Sequence, residues 1–304
     1  MLLYCGPKAA HKERRERVFT TFFSLGSRFS VFGVTVCGMV LFLTVPGRAA
    51  QSSPSVPNPH QAEFDEAVGS FRAKHYDIAL ADFKKLMGEE PENPVYKKFA
   101  SEAALNQGDA DFVVQTLQPI EAAQPDDWQT HLLLARAYAQ MVKDPHHAEK
   151  RDEEIALVTK QHNQDPNSQL GKLRDFLLET VHQGDKTIQF YPAFTPWGPY
   201  HVHLIARTFD AAGQPGLRIT LESNDFDQPQ FAKEHPAEAA AGQRGYSLDG
   251  YAPDQKSADG RTIQTHYTYG FFTGQPSYDV VRERVLAIAT GTVKPQSSRT
   301  GPIN

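Results

Sequence analysis

Cysteine is nearly missing from this 304-residue chain: there are two, Cys5 and Cys37, both within the first fifty residues. If that segment is removed on maturation, the remaining body holds no thiol. Disulfides, cysteine metal ligands and thiol nucleophiles are then excluded from it. A thiol-free body is compatible with an oxidising compartment. Basic charge is also scarce where a nucleic-acid partner would need it. The first fifty residues carry seven Lys/Arg against Glu13 and Glu16, so a chain of net charge −5 has a body of about −10. Phosphate backbones demand clustered positive charge, and this composition excludes them as partners. No glycine-rich phosphate loop follows a strand-like run, and no serine-centred elbow is present.

Long hydrophobic runs are equally few. The most apolar, "VFGVTVCGMVLFLTV" at 31–45, is 15 residues long, the length of a signal-peptide core and short of the ~20 residues of a membrane span. A basic stretch from Lys8 to Arg28 precedes it, and Gly47 and Ala49 place small residues before a cut between Ala49 and Ala50. Residues 1–49 therefore read as an export signal and the body as periplasmic or secreted. Val36, before Cys37, is too large for a lipoprotein signal, and Arg14-Arg15 lies far from the apolar core for a twin-arginine signal. The alternative is an uncleaved anchor over residues 18–46, which would be the chain's only membrane attachment.

Residues 50–60, containing "QSSPSVPNPH", form a Pro/Ser linker. Beyond it a spacing of 34 recurs. Pro91 and Pro125 are 34 apart, as are Ala67, Ser101 and Ala135, Phe83 and Leu117, and Leu86 and Ile120. Small residues at a fixed period of this size mark places where helices of a repeating hairpin cross. Residues 61–167 resemble the tetratricopeptide repeat family. The first unit carries the resemblance on Phe64, Ala67, Phe71, Tyr76, Ala79, Phe83, Leu86 and Pro91. The second carries it on Phe99, Ser101, Ala104, Gly108, Leu117, Ile120 and Pro125, and the third on Leu134, Ala135 and Tyr138. The third then departs: Pro166 comes 41 residues after Pro125, and the extra length is expected within 142–154. The resemblance implies three helix pairs in a solenoid. Leu170, Leu173, Leu177 and Val181 suggest a capping helix over 168–184, completing a helical domain at 61–184. It also implies a protein or peptide partner on the concave side, with Arg72, Asn106 and Arg136 as lining residues.

After Gly184 helical spacing gives way to alternation. Residues 186–194, 200–210, 216–223, 245–251 and 261–272 read as strands, and 277–291 as a helix. The fold class is α+β: a helical solenoid followed, over 185–291, by a mainly antiparallel sheet with one C-terminal helix, then a disordered tail at 292–304. "DAAGQP" suits a hairpin turn that sets Thr208 opposite Leu217, Ala206 opposite Ile219 and Leu204 opposite Leu221. That register gives a dry face with Val202, Tyr246, Leu248, Ile263, Tyr267, Tyr269 and Phe271. It places His203 beside Glu222 on a polar face with His201, Arg207, Arg218, Asp249, Gln264 and His266. His-x-His puts two imidazoles about 7 Å apart on one side of a strand, and His201, His203, His266 and Glu222 are the ligand set of a zinc site if these strands converge. The plainer reading is an ordinary solvated face. The acids of "ESNDFD" (222–227) read as a solvated turn, with calcium as the alternative, and Trp197 as a packed turn. The long stretch 226–245 exceeds a simple connection.

Two functions from different classes follow. The first is an exported, bacterial-type binding or scaffold protein without cofactor or catalytic residues, whose helical stack holds a protein partner or supports the sheet. The alternative is a small zinc-dependent hydrolase on the histidine-bearing sheet face.

Overall fold

The computed structural model describes residues 59–225 and 228–302. The segment expected to be an export signal or anchor, and most of the expected linker, lie outside the described residues. Those that are described belong to one compact unit, Val56–Asn304.

Six helices come first: α1 (Gln61–Arg72), α2 (Tyr76–Glu89), α3 (Pro94–Gln107), α4 (Ala110–Ala123), α5 (Trp128–Gln140) and α6 (His147–Gln164). Local chemistry sets their ends. Asn93 accepts the Val95 amide at 3.0 Å with Pro94 in the first turn, Asp109 accepts the Phe112 amide at 3.2 Å, and Gly108 closes α3 at φ +80°. The small residues at the 34-residue spacing, Ala67, Ser101 and Ala135, are each fully buried. Phe64 of α1 meets Phe83, Tyr96 and Phe99 at ring distances of 6.0, 5.5 and 5.1 Å, tying the first pair to the second. Glu102 of α3 pairs with Arg136 of α5, 34 residues later. The third pair's extra length is shared between the loop at 141–146 and the 18 residues of α6.

An antiparallel sheet follows: β1 (Glu179–Gln183), β2 (Lys186–Trp197), β3 (Val202–Phe209), β4 (Pro215–Glu222), β5 (Gly245–Tyr251), β6 (Gln255–Lys256), β7 (Thr262–Thr273) and β8 (Ser297–Pro302). The spatial order is β1-β2-β3-β4-β5-β7-β6, with β8 also paired to β7. Two short helices, α7 (Gln228–Glu234) and α8 (Pro236–Ala240), occupy the β4–β5 connection. The C-terminal helix, α9 (Tyr278–Ala289), starts at Ser277, whose hydroxyl accepts the Val280 amide. It lays Val281, Val285 and Ile288 on a core made by Ile188, Phe190, Leu204, Ala206, Ile219, Leu221, Leu248 and Tyr269.

Three expectations are corrected. Residues 168–184 are not a capping helix: turns lead to 178, and β1 then pairs with β2. The expected domain boundary at 184 is the turn of that hairpin, with Gln183 opposite Lys186 and Gly184 at φ +62°, the first central position where a type II′ turn favours glycine. The tail is not wholly disordered, since Ser297–Pro302 forms β8 against Ile263–Thr268.

The helices and the sheet share a second core. Leu132, Ala135 and Ala139 of α5 and Val158 of α6 pack with Leu170, Phe176, Leu178 and Phe194. Residues 130–139 of α5 are consequently buried all round, polar Thr130, His131 and Arg136 included. Among the described residues no helix is long and apolar enough to cross a membrane.

Candidate functional site on the polar sheet face

Strand pleating sorts β4, β5 and β7 into two faces. Leu221 and Leu248 go to the core beneath α9, whereas Thr220, Glu222, Ser247, Asp249 and Tyr251 point the other way. The register sets Thr220 opposite Asp249, Glu222 opposite Ser247 and Tyr251 opposite His266. Glu222 and Asp249 are thus on adjacent strands of one face, 3% and 4% exposed.

Each carboxylate is held by neighbours. Glu222 Oε1 accepts the Thr220 hydroxyl at 2.6 Å and the Tyr251 hydroxyl at 3.1 Å. Asp249 Oδ1 accepts the Thr268 hydroxyl at 3.0 Å and lies 2.8 Å from His266 Nε2. The His266 ring stacks on Tyr251 at 4.9 Å, and the Arg218 guanidinium lies 4.7 Å over the same tyrosine. Burial pushes the Glu222 carboxyl above the usual carboxylate range; the Thr220 hydrogen bond opposes this and the nearby charge of Asp249 adds to it. Burial and the Glu222 charge likewise hold the Tyr251 phenol protonated. Chemically the arrangement offers a carboxyl of raised pKa beside a second carboxylate, with a phenol and an imidazole at hand.

The residues of the expected zinc set are not gathered. His203 is the extra residue of a bulge, because Val202 pairs with Glu222 and Leu204 with Leu221. The bulge moves His203 from Glu222 to Ser223, whose Oγ lies 2.7 Å from His203 Nε2. Burial, with smaller effects from His201 and Arg244, lowers its pKa. His201 sits in the preceding turn at φ +47°. His266 belongs to the opposite end of β4: it pairs with Tyr251, and Tyr251 pairs with Arg218. Of the four, only Glu222 and His266 share the carboxylate network. Among the described residues, two other groups bring three metal-capable atoms within 4.8 Å of one another: His60, Glu63 and Glu89, and Glu121, His131 and Glu154.

The lining residues expected of the helical stack divide as well. Arg72 and Asn106 are exposed at the ends of α1 and α3, in equivalent positions 34 apart. Arg136 is 7% exposed and engaged by Glu102. The position equivalent to Asn106 is Gln140, which donates to the Leu105 carbonyl at 3.1 Å.

Sequence pattern supplied Glu222, Asp249 and His266 as members of one face. It missed Tyr251 and Thr220, which alternate onto that face as plainly but carry no ligand signature. It also missed Glu121, His131 and Glu154, which come from three helices at spacings no motif marks. The one signal was a histidine beside the apolar run "LLLA" in "THLLLARAYA" of α5. No family model, curated protein or solved structure matches the chain.

Proposed function

We propose that the protein is an exported binding or scaffold module of tetratricopeptide-repeat type, acting in the periplasm or beyond it, in which the helical stack supports the sheet and presents its first two pairs to a protein partner. The observation that carries this reading is the unequal use of the first helices of the three pairs. Helix α5 is enclosed along residues 130–139, packing its apolar side on Phe176, Leu178 and Phe194 of the sheet half. Helices α1 and α3 keep Arg72 and Asn106 exposed at matching positions. A stack whose third pair grips its own sheet is anchored, and its first two pairs are left to make contacts outside the chain.

The test is capture from envelope extracts by residues 50–304, compared between the native sequence and the paired Arg72→Glu, Asn106→Ala variant. Loss of a specific partner with unchanged thermal melting supports the reading. An identical captured set from both proteins, or no specific partner for either, overturns it.

A second reading is favoured by the raised carboxyl of Glu222 beside Asp249. A hydrolase on this face would use Glu222 as proton donor and Asp249, oriented by His266, as base. Hydrolysis of acyl, phosphoryl or glycosyl model substrates, abolished by both Glu222→Gln and Asp249→Asn, would establish it. Turnover that survives both substitutions would eliminate it.

A further inference from the structure

Three neighbouring helices, α4, α5 and α6, each bring one metal-capable side chain to a common point. Glu121 lies in the last turn of α4, His131 in the first turn of α5 and Glu154 in the middle of α6. His131 and Glu154 are 1% and 6% exposed, while Glu121 is partly open to solvent.

The hydrogen bonding of His131 fixes its chemistry. Its Nε2 lies 2.8 Å from the Pro125 carbonyl oxygen. A carbonyl only accepts, so Nε2 carries a proton and donates it. The other nitrogen, Nδ1, lies 2.6 Å from Glu154 Oε2. A neutral imidazole protonated at Nε2 presents a lone pair there, and a lone pair facing a carboxylate oxygen at that distance is repulsive. The contact therefore requires positive charge, supplied as it stands by a proton in a hydrogen bond; the donor atoms of a tetrahedral zinc stand about 3.3 Å apart, so an ion displaces that proton as the pair opens. Glu121 makes the requirement stronger, because its carboxyl and the atoms of the other two side chains lie within 4.8 Å of one another. Two carboxylates and a neutral imidazole carry −2 in a largely dry site. Among the described residues no Lys or Arg forms an ion pair with either carboxylate. The two cations one turn before Glu154 on α6 are engaged elsewhere: Lys150 by Asp144 at 2.9 Å and over the Tyr138 ring at 5.5 Å, and Arg151 by Asp152 and Asp279 at 2.8 and 2.6 Å. Tyr138, whose phenol is pushed up chiefly by burial and also by the nearby Glu154 and Glu121, accepts a hydrogen bond from Gln118 at 3.5 Å and adds no positive charge.

We propose that Glu121, His131 Nδ1 and Glu154 bind one divalent transition-metal ion, of which zinc is the first candidate. One imidazole nitrogen and two carboxylate oxygens are a donor set suited to Zn²⁺, and less well matched to Mg²⁺ or Ca²⁺, which take oxygen throughout. The Nε2–H bond to Pro125 is the outer contact that metal-binding histidines make, fixing the tautomer that frees Nδ1. The partial exposure of Glu121 provides the route in and room for a water ligand. The ion replaces the protons that the cluster otherwise holds, and it ties α4, α5 and α6 together, linking the second helix pair to the third. The site is separate from the expected histidine set of the sheet and independent of the partner-binding reading.

The experiment uses residues 50–304 stripped with chelator and titrated by calorimetry with zinc chloride, then with manganese and magnesium chlorides, in two buffers of different ionisation enthalpy. The expected result is one zinc per chain, bound with proton release and a raised melting temperature, with magnesium far weaker. Glu121→Gln, whose side chain is partly exposed, is expected to weaken zinc roughly 100-fold while leaving the stripped protein's melting unchanged. His131→Gln is expected to abolish binding. The exposed His60, Glu63 and Glu89 group is the internal control, and His60→Ala is expected to leave the affinity as it was. No zinc binding to the folded protein at millimolar concentration overturns the proposal. So does binding that His60→Ala removes and Glu121→Gln does not.

Discussion

Arg151 of α6, 1% exposed, donates two hydrogen bonds to Asp279 in the first turn of α9, at 2.6 and 3.3 Å. Its guanidinium also lies 4.6 Å over the Tyr278 ring and bonds Asp152 at 2.8 Å. The last helix of the stack is thereby fastened to the helix that covers the sheet. Asp279 sits where the α9 dipole already favours a negative charge. Asp279→Ala leaves a buried guanidinium with one carboxylate partner, and a loss of about 1–3 kcal/mol is expected. Chemical denaturation should show a lower midpoint with an unchanged slope. Because the helices and sheet share a core, both should be lost in one transition, which circular dichroism and tyrosine fluorescence can check by coinciding.

Phe231 of α7 lies against the sheet at Gly245, where an added Cβ would come within 2.7 Å of its ring. Gln228 clamps the same place, donating to the Asn224 and Gly245 carbonyls and accepting the Gly245 amide. These contacts fasten the start of the segment 228–242 to the sheet. Gly245→Ala is expected to displace the Phe231 ring and expose the segment to protease, with cleavage near Lys233 appearing at least tenfold faster while global melting falls by only a few degrees, the shift about 1 kcal/mol gives at this size. Equal cleavage rates would show that the segment is held elsewhere.

The β7 strand shows where sequence patterning stopped being legible. Alternation placed Tyr267, Tyr269 and Phe271 on the dry face. Tyr267 and Tyr269 are there, yet Phe272, not Phe271, joins them. Leu248 pairs with Gly270 and Asp249 with Thr268, so Tyr269 is an extra residue, and Gly270 stands at φ +132°. One bulge reverses the facing of everything after it, and no count of apolar residues reveals it. The same happens at His203 on β3. Strand β8, "SSRTGP", has neither β-branched density nor alternation; it forms because the edge of β7 is open to pairing. Residues 168–184 carry two periods at once. Leu170, Leu173 and Leu177 suit a helix, whereas buried Phe176 and Leu178 suit a strand, and pairing with β2 decided between them. Helices α1 to α6 were legible because their contacts are between sequence neighbours. The carboxylate face was half legible, since pleating is local but what buries it is not.

Gly250 on β5 is crossed by the Tyr269 ring, whose Cε2 would lie 2.7 Å from an added Cβ. The ring fills the space a side chain would take, and it belongs to the core beneath α9. Gly250→Ala must move Tyr269, and overpacking of this kind costs about 1–3 kcal/mol. A Gly250→Ala, Tyr269→Leu double variant should recover part of that loss, because the clash is removed while an apolar side chain stays. Melting temperatures of the single and double variants give the coupling directly. Additive losses would mean that the glycine is required for its backbone alone.

The buried Glu222 makes stability depend on pH in a defined direction. Its folded pKa is raised, chiefly by burial, so the folded protein holds its proton more tightly than the unfolded chain does. Stability from this group is fully present below the unfolded carboxyl range, near pH 4.3, and declines as pH rises through the folded value. Above it the folded state must keep a desolvated charge next to Asp249. Glu222→Gln keeps an oxygen to accept from Thr220 and Tyr251 and removes the charge. The variant should therefore melt higher than the native protein at pH 8, and the gap should close as pH falls toward 4. Its own profile should lack the decline that the native protein shows between those limits. Asp249→Asn gives the complementary check: with that charge gone, Glu222 titrates lower and the decline moves toward acid. If Glu222→Gln is instead less stable at pH 8 than at pH 4 relative to the native protein, the carboxylate is stabilised by this face, and the upward shift assigned to Glu222 fails with it.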